Sequence, residues 1–403
     1  MQPVNPLADL TLDNVERAAF FSQGLNAFVV TRFEDCLQVL KDPATFSSSP
    51  FDSPALMANF ASRYRPIYER AGVPPFIPAL VTTDGSVHHR YRAAVDRSFT
   101  VSSVRALESK IDMLVDTLID AFIDDGTVDL YAEFCMKLPL FVICDMVGLP
   151  REQAPLLRRS ADAMARLAGG VAEDENTRIG LHEDQAAFHL YLLPLIARLR
   201  AAPDDTLLSC LIHTPTEDGS LLNDAEIVSI VTTLNVGGNE TTTNGLGSMF
   251  RRCFEDKAMQ EKLRSDRGLI DRFVEEVLRL ETPVAAMPRF VYHDTMIGDV
   301  AVPAGSALLV SFHCANHDSA RFACPEALDT QRSGARNHLA FGMGPHFCLG
   351  ASLSRVELAA SLNRVLDRMG NIRLDTTDGP LPTQHKVTVR GVTALPIRFD
   401  RLG

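Results

Sequence analysis

Apolar residues recur at the 3.6-residue spacing of amphipathic helices along much of the chain. The spacing is clearest in five segments, VERAAFF, FEDCLQVLK, VRALESKIDMLVDTLIDAFI, EDQAAFHLYLLPLIARLRAA and ASLSRVELAASLNRVLDRMG, and predicts helices there. The segments AFVVTRF, IGDVAVPAGSALLVSF and VTALPIRF, nearer the two ends of the chain, are short and strand-like. The pattern therefore predicts a mainly α-helical fold with small β-sheets. No repeat or linker divides residues 1–403, which we expect to form one domain.

One long central helix is predicted over about residues 223–254. Asn223 suits the N-cap position, and Glu226 follows at the spacing of a capping box. The middle of this helix is weak, because Gly237 and Gly238 each cost ~1 kcal/mol relative to alanine and a run of threonines follows them. Two explanations stay open: the glycines allow close packing against another helix, or they let another molecule approach the helix backbone.

The composition indicates a globular protein that does not bind nucleic acid. Hydrophobic residues make up 46% of the 403 positions, and 39 basic against 51 acidic side chains give a net charge of −12. This charge repels a phosphate backbone. The chain shows neither a signal sequence nor an apolar run of ~18 residues, so we expect a cytoplasmic protein without a membrane span.

The eight cysteines are dispersed without a C-x-x-C pair, and most are expected to be ordinary buried thiols. Cys348 differs, because three glycines and a proline surround it in HLAFGMGPHFCLG. Backbone amides of such a turn, and the start of a helix near Leu349, would stabilise a thiolate. The alternatives are a structural thiol, a cysteine nucleophile and a metal ligand. A zinc site of His338, His346 and Cys348 lacks the usual paired short spacings, and no cysteine-protease signature is present.

Residues 341–350 match the pattern F-x-x-G-x-x-x-C-x-G, and in this motif the chain resembles the cytochrome P-450 family. Two further motifs agree in order and spacing. The segment EEVLR contains the E-x-x-R pair as Glu276 and Arg279, and VGGNETT is similar to [AG]-G-x-[DE]-T-T, with Glu240 and Thr241 as its acid and alcohol. The spacing alone would favour a surface ion pair for E-x-x-R, whereas the resemblance implies buried scaffolding.

The resemblance implies the cytochrome P-450 fold, with the long central helix over haem b and Cys348 as the iron ligand. Two haem carboxylates need several cationic or donor partners, and His88 and Arg92 would share one helix face. The segment before them reads DGSVH instead of the family's D-P-P-x-H, so His89 stays an alternative to His88. The haem-binding residues implied are His88, Arg92, Arg289, His346, Phe341, Gly342, Gly350, Gly237 and Cys348.

The activity implied by the resemblance is haem-thiolate monooxygenation, in which one oxygen atom of dioxygen enters a lipophilic substrate. Thr241 would deliver a proton at the activated oxygen, and Glu240 would relay protons from solvent. Peroxide-driven relatives generally lack this pair, and a haem carrier without turnover would not require it. Oxidative coupling, ring formation and rearrangement in natural-product biosynthesis stay open as alternative reactions.

The substrate pocket implied by the resemblance is mainly apolar. Its candidate residues are Thr233, Val236 and Gly237 on the central helix, Val284, Ala285, Ala286 and Met287 after E-x-x-R, and a loop at residues 51–81. The segments VGGNET and QHKVTVRGVTALP resemble camphor hydroxylase, a member of the family, but its tyrosine before FIP is absent and Val73, Pro74 and Pro75 stand there. We therefore expect a terpenoid, a steroid or a secondary-metabolite intermediate as substrate.

The resemblance also implies electron-transfer partners. We expect no fused flavin or iron–sulfur domain, so electrons would come from a separate ferredoxin and ferredoxin reductase to a monomeric protein. Arg90, Arg97, Arg355 and Arg364 are candidates for a basic patch that binds an acidic ferredoxin. Solvated helix faces are the alternative explanation for these arginines.

Overall fold

The computed structural model describes residues 11–50, 54–168 and 173–402. The α-helices in this part are α1 (Phe33–Lys41), α2 (Pro54–Arg63), α3 (Arg65–Ala71), α4 (Gly85–Asp96), α5 (Val101–Asp120), α6 (Lys137–Val147), α7 (Ala154–Ala168), α8 (Glu175–Ala201), α9 (Leu207–His213), α10 (Asp224–Glu255), α11 (Lys257–Ser265), α12 (Ile270–Glu281), α13 (Phe312–Asn316) and α14 (Ala351–Arg368). The strands are β1 (Ala19–Ser22), β2 (Ala27–Val30), β3 (Phe46–Ser47), β4 (Thr127–Asp129), β5 (Ala286–Val291), β6 (Thr295–Ile297), β7 (Val300–Val302), β8 (Ala307–Ser311), β9 (Met369–Leu374), β10 (Thr383–His385), β11 (Arg390–Val392) and β12 (Pro396–Arg401). The predicted mainly helical fold with small sheets is confirmed.

The sheets join distant parts of the chain. The largest has the strand order β1-β2-β8-β5-β3, in which β2 and β8 are parallel. Strands β4, β12 and β9 form a second, antiparallel sheet that brings the C-terminal strands to β4. Two hairpins, β6–β7 and β10–β11, complete the set in the described residues.

Two local predictions were wrong. The segment VERAAFF is not a helix, because its second half is strand β1, whose antiparallel pairing with β2 buries Ala19 against Val30. Residues 51–81, expected to be a loop, contain α2 and α3, although residues 51–53 lie outside the described part. Helix α3 forms because Ile67 and Tyr68 bury one face of it, and Gly72 ends it with a φ of +67°.

The chain divides into two compact units. Unit 1 comprises Met1–Phe46, Val104–Pro139 and Thr241–Gly403, and unit 2 comprises Ser47–Ser103 and Leu140–Glu240. That the whole chain is a single domain stays a prediction. None of the helices in the described ranges is long and apolar enough to cross a membrane.

Helix α10 confirms the predicted long helix and its capping box. The Asn223 N–H donates to Glu226 Oε2 at 2.8 Å, and the Glu226 N–H donates to Asn223 Oδ1 at 3.0 Å. The helix then continues through Gly237 and Gly238 without interruption. Packing of the rest of the helix therefore offsets the low helix propensity of the two glycines.

The E-x-x-R pair on α12 is buried, as the resemblance implied. Glu276 and Arg279 are both 0% exposed, and Arg279 donates to both carboxylate oxygens at 2.9 and 3.0 Å. Arg332 is a third member that was not predicted from the sequence: its Nε lies 3.0 Å from the same oxygens, and the Asp329 N–H also donates to Glu276. Burial opposes ionisation, but these donors lower the pKa of Glu276 below its ordinary value.

Removing the Glu276 carboxylate should destabilise unit 1 strongly. In Glu276→Ala, two buried guanidinium groups lose their anion, so we expect the free energy of unfolding to fall by ~3 to 5 kcal/mol. Urea unfolding of the haem-loaded protein measures this loss, with Glu261→Ala on the exposed face of α11 as the control. A loss no larger than that of the control would contradict the structural role of this cluster.

Candidate active site

The segment with Cys348 forms a tight turn in front of α14. The Cys348 N–H donates to the Phe341 carbonyl at 2.9 Å and closes the turn. Gly342 and Gly344 adopt φ values of +65° and +75°, and a Cβ on Gly344 would collide with the carbonyl of Leu40. Helix α14 begins at Ala351 with Gly350 as its N-cap, slightly later than predicted. Gly342 and Gly344 are therefore required by the backbone geometry of this turn.

Cys348 differs from most other cysteines in its exposure. It is partly exposed, whereas five others are buried: Cys36, Cys135, Cys144, Cys253 and Cys314. Burial raises the pKa of each of these five thiols, to about 12 for Cys144 and Cys253. They remain protonated, as expected for structural thiols.

A second buried carboxylate, Glu275, holds both ends of the cysteine turn. His338, before the turn, places Nε2 3.0 Å from Glu275 Oε2, and Arg355, after it on α14, donates at 2.6 and 3.1 Å. The Arg355 guanidinium also lies over the Phe341 ring, 4.4 Å from its centroid. Burial alone would raise the pKa of Glu275, but the bonds from His338 and Arg355 lower it to about 2.

The hydrogen bonds of His338 also exclude the zinc alternative. Its Nδ1 accepts from the Ala340 N–H at 3.2 Å while Nε2 binds Glu275, so neither ring nitrogen is available to a metal. No cluster of three or more potential metal-ligating side chains occurs in the part of the chain that the structure describes.

Unit 1 also contains two of the predicted haem-carboxylate partners. Arg289 lies on β5 and is 4% exposed, with Nη1 donating to the Pro288 carbonyl at 2.7 Å. His346 lies in the 3₁₀ turn Gly344–His346 and is partly exposed. Both therefore present cationic or donor groups from elements fixed by the sheet and the cysteine turn.

The other two predicted haem-carboxylate partners, His88 and Arg92, lie on α4 in unit 2. His88 is buried, whereas His89 is exposed and its Nδ1 lies 3.0 Å from Glu217. Arg92 follows His88 by one helical turn and donates from Nε to Asp96 at 2.6 Å. This arrangement favours His88 over His89 as the ligand-facing residue, and its role in binding haem stays a prediction.

One face of α10 is accessible although the rest of the helix is buried. Between Glu226 and Phe250 every residue is buried except six: Thr233, Val236, Gly237, Gly238, Glu240 and Thr241. Apart from Gly238, these residues follow one another at helical spacing, and we call them the accessible stripe. The predicted substrate-facing and proton-delivering residues of α10 therefore share one face.

The two glycines of α10 have different reasons to be glycine. A Cβ on Gly238 would lie 2.6 Å from Cδ1 of Ile143 on α6, so this glycine serves helix packing. A Cβ on Gly237 meets no atom within 4 Å, so this position borders open space. The packing explanation holds for Gly238, whereas the approach of another molecule at Gly237 stays a prediction that the open space allows.

The residues after E-x-x-R that were predicted to contact substrate differ in their exposure. Val284 and Met287 are partly exposed and pack against the core of unit 1. Ala285 and Ala286 are buried, and the backbone of Ala285 bonds to Thr388 and His313. Val284 and Met287 are therefore the better candidates for ligand contact.

The residues present fit a haem group. Cys348 supplies a partly exposed sulfur in a glycine-shaped turn, and Arg289 supplies a buried cation that suits a carboxylate. These are the donor types that an iron porphyrin with two carboxylates requires.

Comparison with known proteins identifies the family. The profile of the family described as Cytochrome P450 matches residues 180–396. Cytochrome P450 107B1 of Saccharopolyspora erythraea is 32% identical over 377 residues, covering 93% of this chain and 90% of that protein. A steroid C26-monooxygenase of Mycobacterium tuberculosis is 34% identical over 325 residues, covering 81% and 87%. The crystal structure of CYP109E1 from Bacillus megaterium in complex with testosterone has a TM-score of 0.83 at 26% identity, covering 98% and 99%.

The chain therefore belongs to the cytochrome P450 family. It is an oxidoreductase, a monooxygenase that carries haem b. The fold and the cofactor predicted from the motifs are confirmed, whereas the role of each individual site residue stays a prediction.

Replacing each glycine of α10 by alanine should separate packing from ligand binding. Gly238→Ala should lower the free energy of unfolding by ~1 to 2 kcal/mol, because overpacking against Ile143 exceeds the gain in helix propensity. Gly237→Ala should unfold no more easily than the wild type, but its methyl group enters the space beside the helix and should weaken azole binding to the haem iron. Urea unfolding and azole titration measure the two effects, and an exchange of the two phenotypes would contradict the assignment.

Proposed function

We propose that this cytochrome P450 hydroxylates a lipophilic small molecule of the steroid or terpenoid class, or a secondary-metabolite intermediate of similar character. The observation that carries the proposal is the accessible stripe of α10. Its first part is uncharged, with Thr233, Val236 and Gly237, and its second part presents Glu240 and Thr241. A ligand on this face would lie beside the groups that move protons.

Thr241 is the threonine of the run that can act on a bound ligand. It is partly exposed on the stripe, whereas Thr242 and Thr243 are buried. Glu240 is also partly exposed, so its carboxylate can exchange protons with water. We assign Thr241 to holding a proton at its Oγ1 beside the ligand and Glu240 to renewing that proton from solvent.

Haem b, bound through Cys348, supplies the iron chemistry that activates dioxygen. We assign Arg289, His346, His88 and Arg92 to the haem carboxylates, since they are the predicted cationic partners and His88 and Arg289 are buried. Cys348 is partly exposed, unlike the five cysteines that burial keeps protonated, and this access suits a thiolate ligand.

The substrate class is supported by the relatives and by the candidate pocket residues. One relative is named as a steroid C26-monooxygenase, and one similar structure binds testosterone. The partly exposed candidates Val236, Val284 and Met287 are apolar and suit a hydrocarbon skeleton.

Electrons would come from a separate ferredoxin and its reductase in the cytoplasm. The proposed basic patch is weaker than its arginines suggested, because Arg90 lies 2.5 Å from Glu226 and Arg355 lies 2.6 Å from Glu275. Arg364 faces Asp112 and Asp116 at 3.9 and 3.7 Å. Arg97, exposed directly after α4, is the candidate that we retain for ferredoxin contact.

Removing the Thr241 hydroxyl should uncouple oxygen consumption from product formation. Thr241→Ala should still bind substrate, accept electrons and consume oxygen, but water in the vacated space would deliver protons at the wrong atom, so hydrogen peroxide should rise at the expense of product. The measurement is the ratio of product to reductant consumed, with peroxide assayed in parallel. Thr242→Ala, a change at the buried neighbour, should keep the wild-type ratio.

Glu240→Gln should instead slow oxygen turnover itself, because it removes the titratable group of the relay. An unchanged ratio of product to reductant consumed in Thr241→Ala would show that another group delivers the proton or that the reaction is not a hydroxylation. Oxidative coupling or rearrangement would then become the better assignment.

A further inference from the structure

The segment between α3 and α4 is held by side chains of two other helices in unit 2. His189 on α8 places Nδ1 2.8 Å from the Pro74 carbonyl, and Ser229 on α10 accepts the Ile77 N–H at 3.0 Å. Pro74 and Pro75 have no backbone N–H, so this part of the segment cannot be fixed by its own amides. The bonds from His189 and Ser229 therefore contribute to fixing its position.

His189 is neutral, with its proton on a defined nitrogen. The side chain is 0% exposed, and burial lowers its pKa to about 4 despite the opposing bond to Pro74. Because a carbonyl can only accept, Nδ1 carries the hydrogen and donates to Pro74. The unprotonated Nε2 then faces the Thr232 hydroxyl at 3.4 Å.

The held segment borders the accessible stripe. Ser229, which binds Ile77, lies one helical turn before Thr233, the first residue of the stripe. Thr232, which faces His189, is the residue directly before Thr233. His189 therefore connects the segment at residues 74–77 to the part of α10 where the stripe begins.

A second histidine on α8 offers a matched comparison. His182 is also buried, its pKa is also lowered to about 4 by burial and by Arg178, and its Nδ1 lies 3.0 Å from the Tyr68 hydroxyl. The Tyr64 ring stacks on it at 4.2 Å. His182 thus holds α3 on α8, whereas His189 holds the segment that follows α3.

We propose that His189 is a positioning residue for ligand selectivity, which fixes residues 74–77 as a wall beside the accessible stripe. The inference rests on the proposed role of the stripe in ligand binding, but it requires neither the proposed substrate class nor electron transfer. It concerns ligands large enough to contact this segment.

Two azoles that bind haem iron test this proposal in the holoprotein. Imidazole is small, whereas 4-phenylimidazole extends a phenyl ring away from the iron. In His189→Leu we expect Kd for 4-phenylimidazole to rise about fivefold, the equivalent of one hydrogen bond, while Kd for imidazole stays unchanged. His189→Asn keeps a donor N–H at the δ position and should restore the wild-type ratio of the two constants.

The controls separate positioning from general destabilisation. His182→Leu and His189→Leu should both lower the unfolding midpoint in urea, but His182→Leu should leave the ratio of the two Kd values unchanged. Ser229→Ala removes the second bond to the segment and should shift the ratio in the same direction as His189→Leu, which keeps the test available if His189→Leu does not load haem.

An unchanged ratio in His189→Leu, or in Ser229→Ala where that variant replaces it, would overturn the proposal. So would an equal shift in His182→Leu, since the effect would then come from packing of α3 alone. Because azole binding consumes no electrons, a failure here would leave the proton-delivery roles of Glu240 and Thr241 untouched, and a failure of those roles would not alter the azole ratios.

Discussion

Two adjacent buried carboxylates on α12 determine where the cysteine turn can lie. Neighbouring residues on a helix point about 100° apart, so the two carboxylates meet different partners within unit 1. Here both Glu275 and Glu276 are buried, and each is stable as an anion only because cationic side chains surround it. Glu276 binds Arg279 and Arg332, while Glu275 binds partners on both sides of the turn.

Further hydrogen bonds connect α12 to the cysteine turn. Arg279 donates to the Asn316 carbonyl at 3.0 Å, and the Asn316 side chain accepts the Leu339 N–H at 2.6 Å. The segment that leads into the turn is therefore fixed at His338 and Leu339, and α14 is fixed at Arg355. Within these limits the glycines give the turn its shape, and Cys348 stays partly exposed when most other cysteines are buried. A thiolate ligand needs this combination of rigidity and access.

The sequence predicted the parts of the site that depend on local pattern. The cysteine turn, the E-x-x-R pair and the capping box of α10 are short-range features with residue types set by backbone geometry or by one helix face. Arg332 and Arg355 were not recognised as carboxylate partners, because they are 56 and 80 positions from Glu276 and Glu275 and only the tertiary fold brings them together. The same limit applies to strand β1, since its pairing with β2 overrides the helical spacing of VERAAFF.

We infer that the carboxylate bonds of α12 hold Cys348 in the position proposed for the haem ligand. The direct measurement is the shifted Soret band of the reduced, carbon-monoxide-bound protein, followed through urea unfolding beside the global transition. We expect wild-type protein to lose the band together with its fold, Glu275→Gln to lose the band at lower urea than its fold, and Cys348→Ser never to show it. Coincident loss of band and fold in Glu275→Gln, at the wild-type urea concentration, would show that these bonds do not hold Cys348.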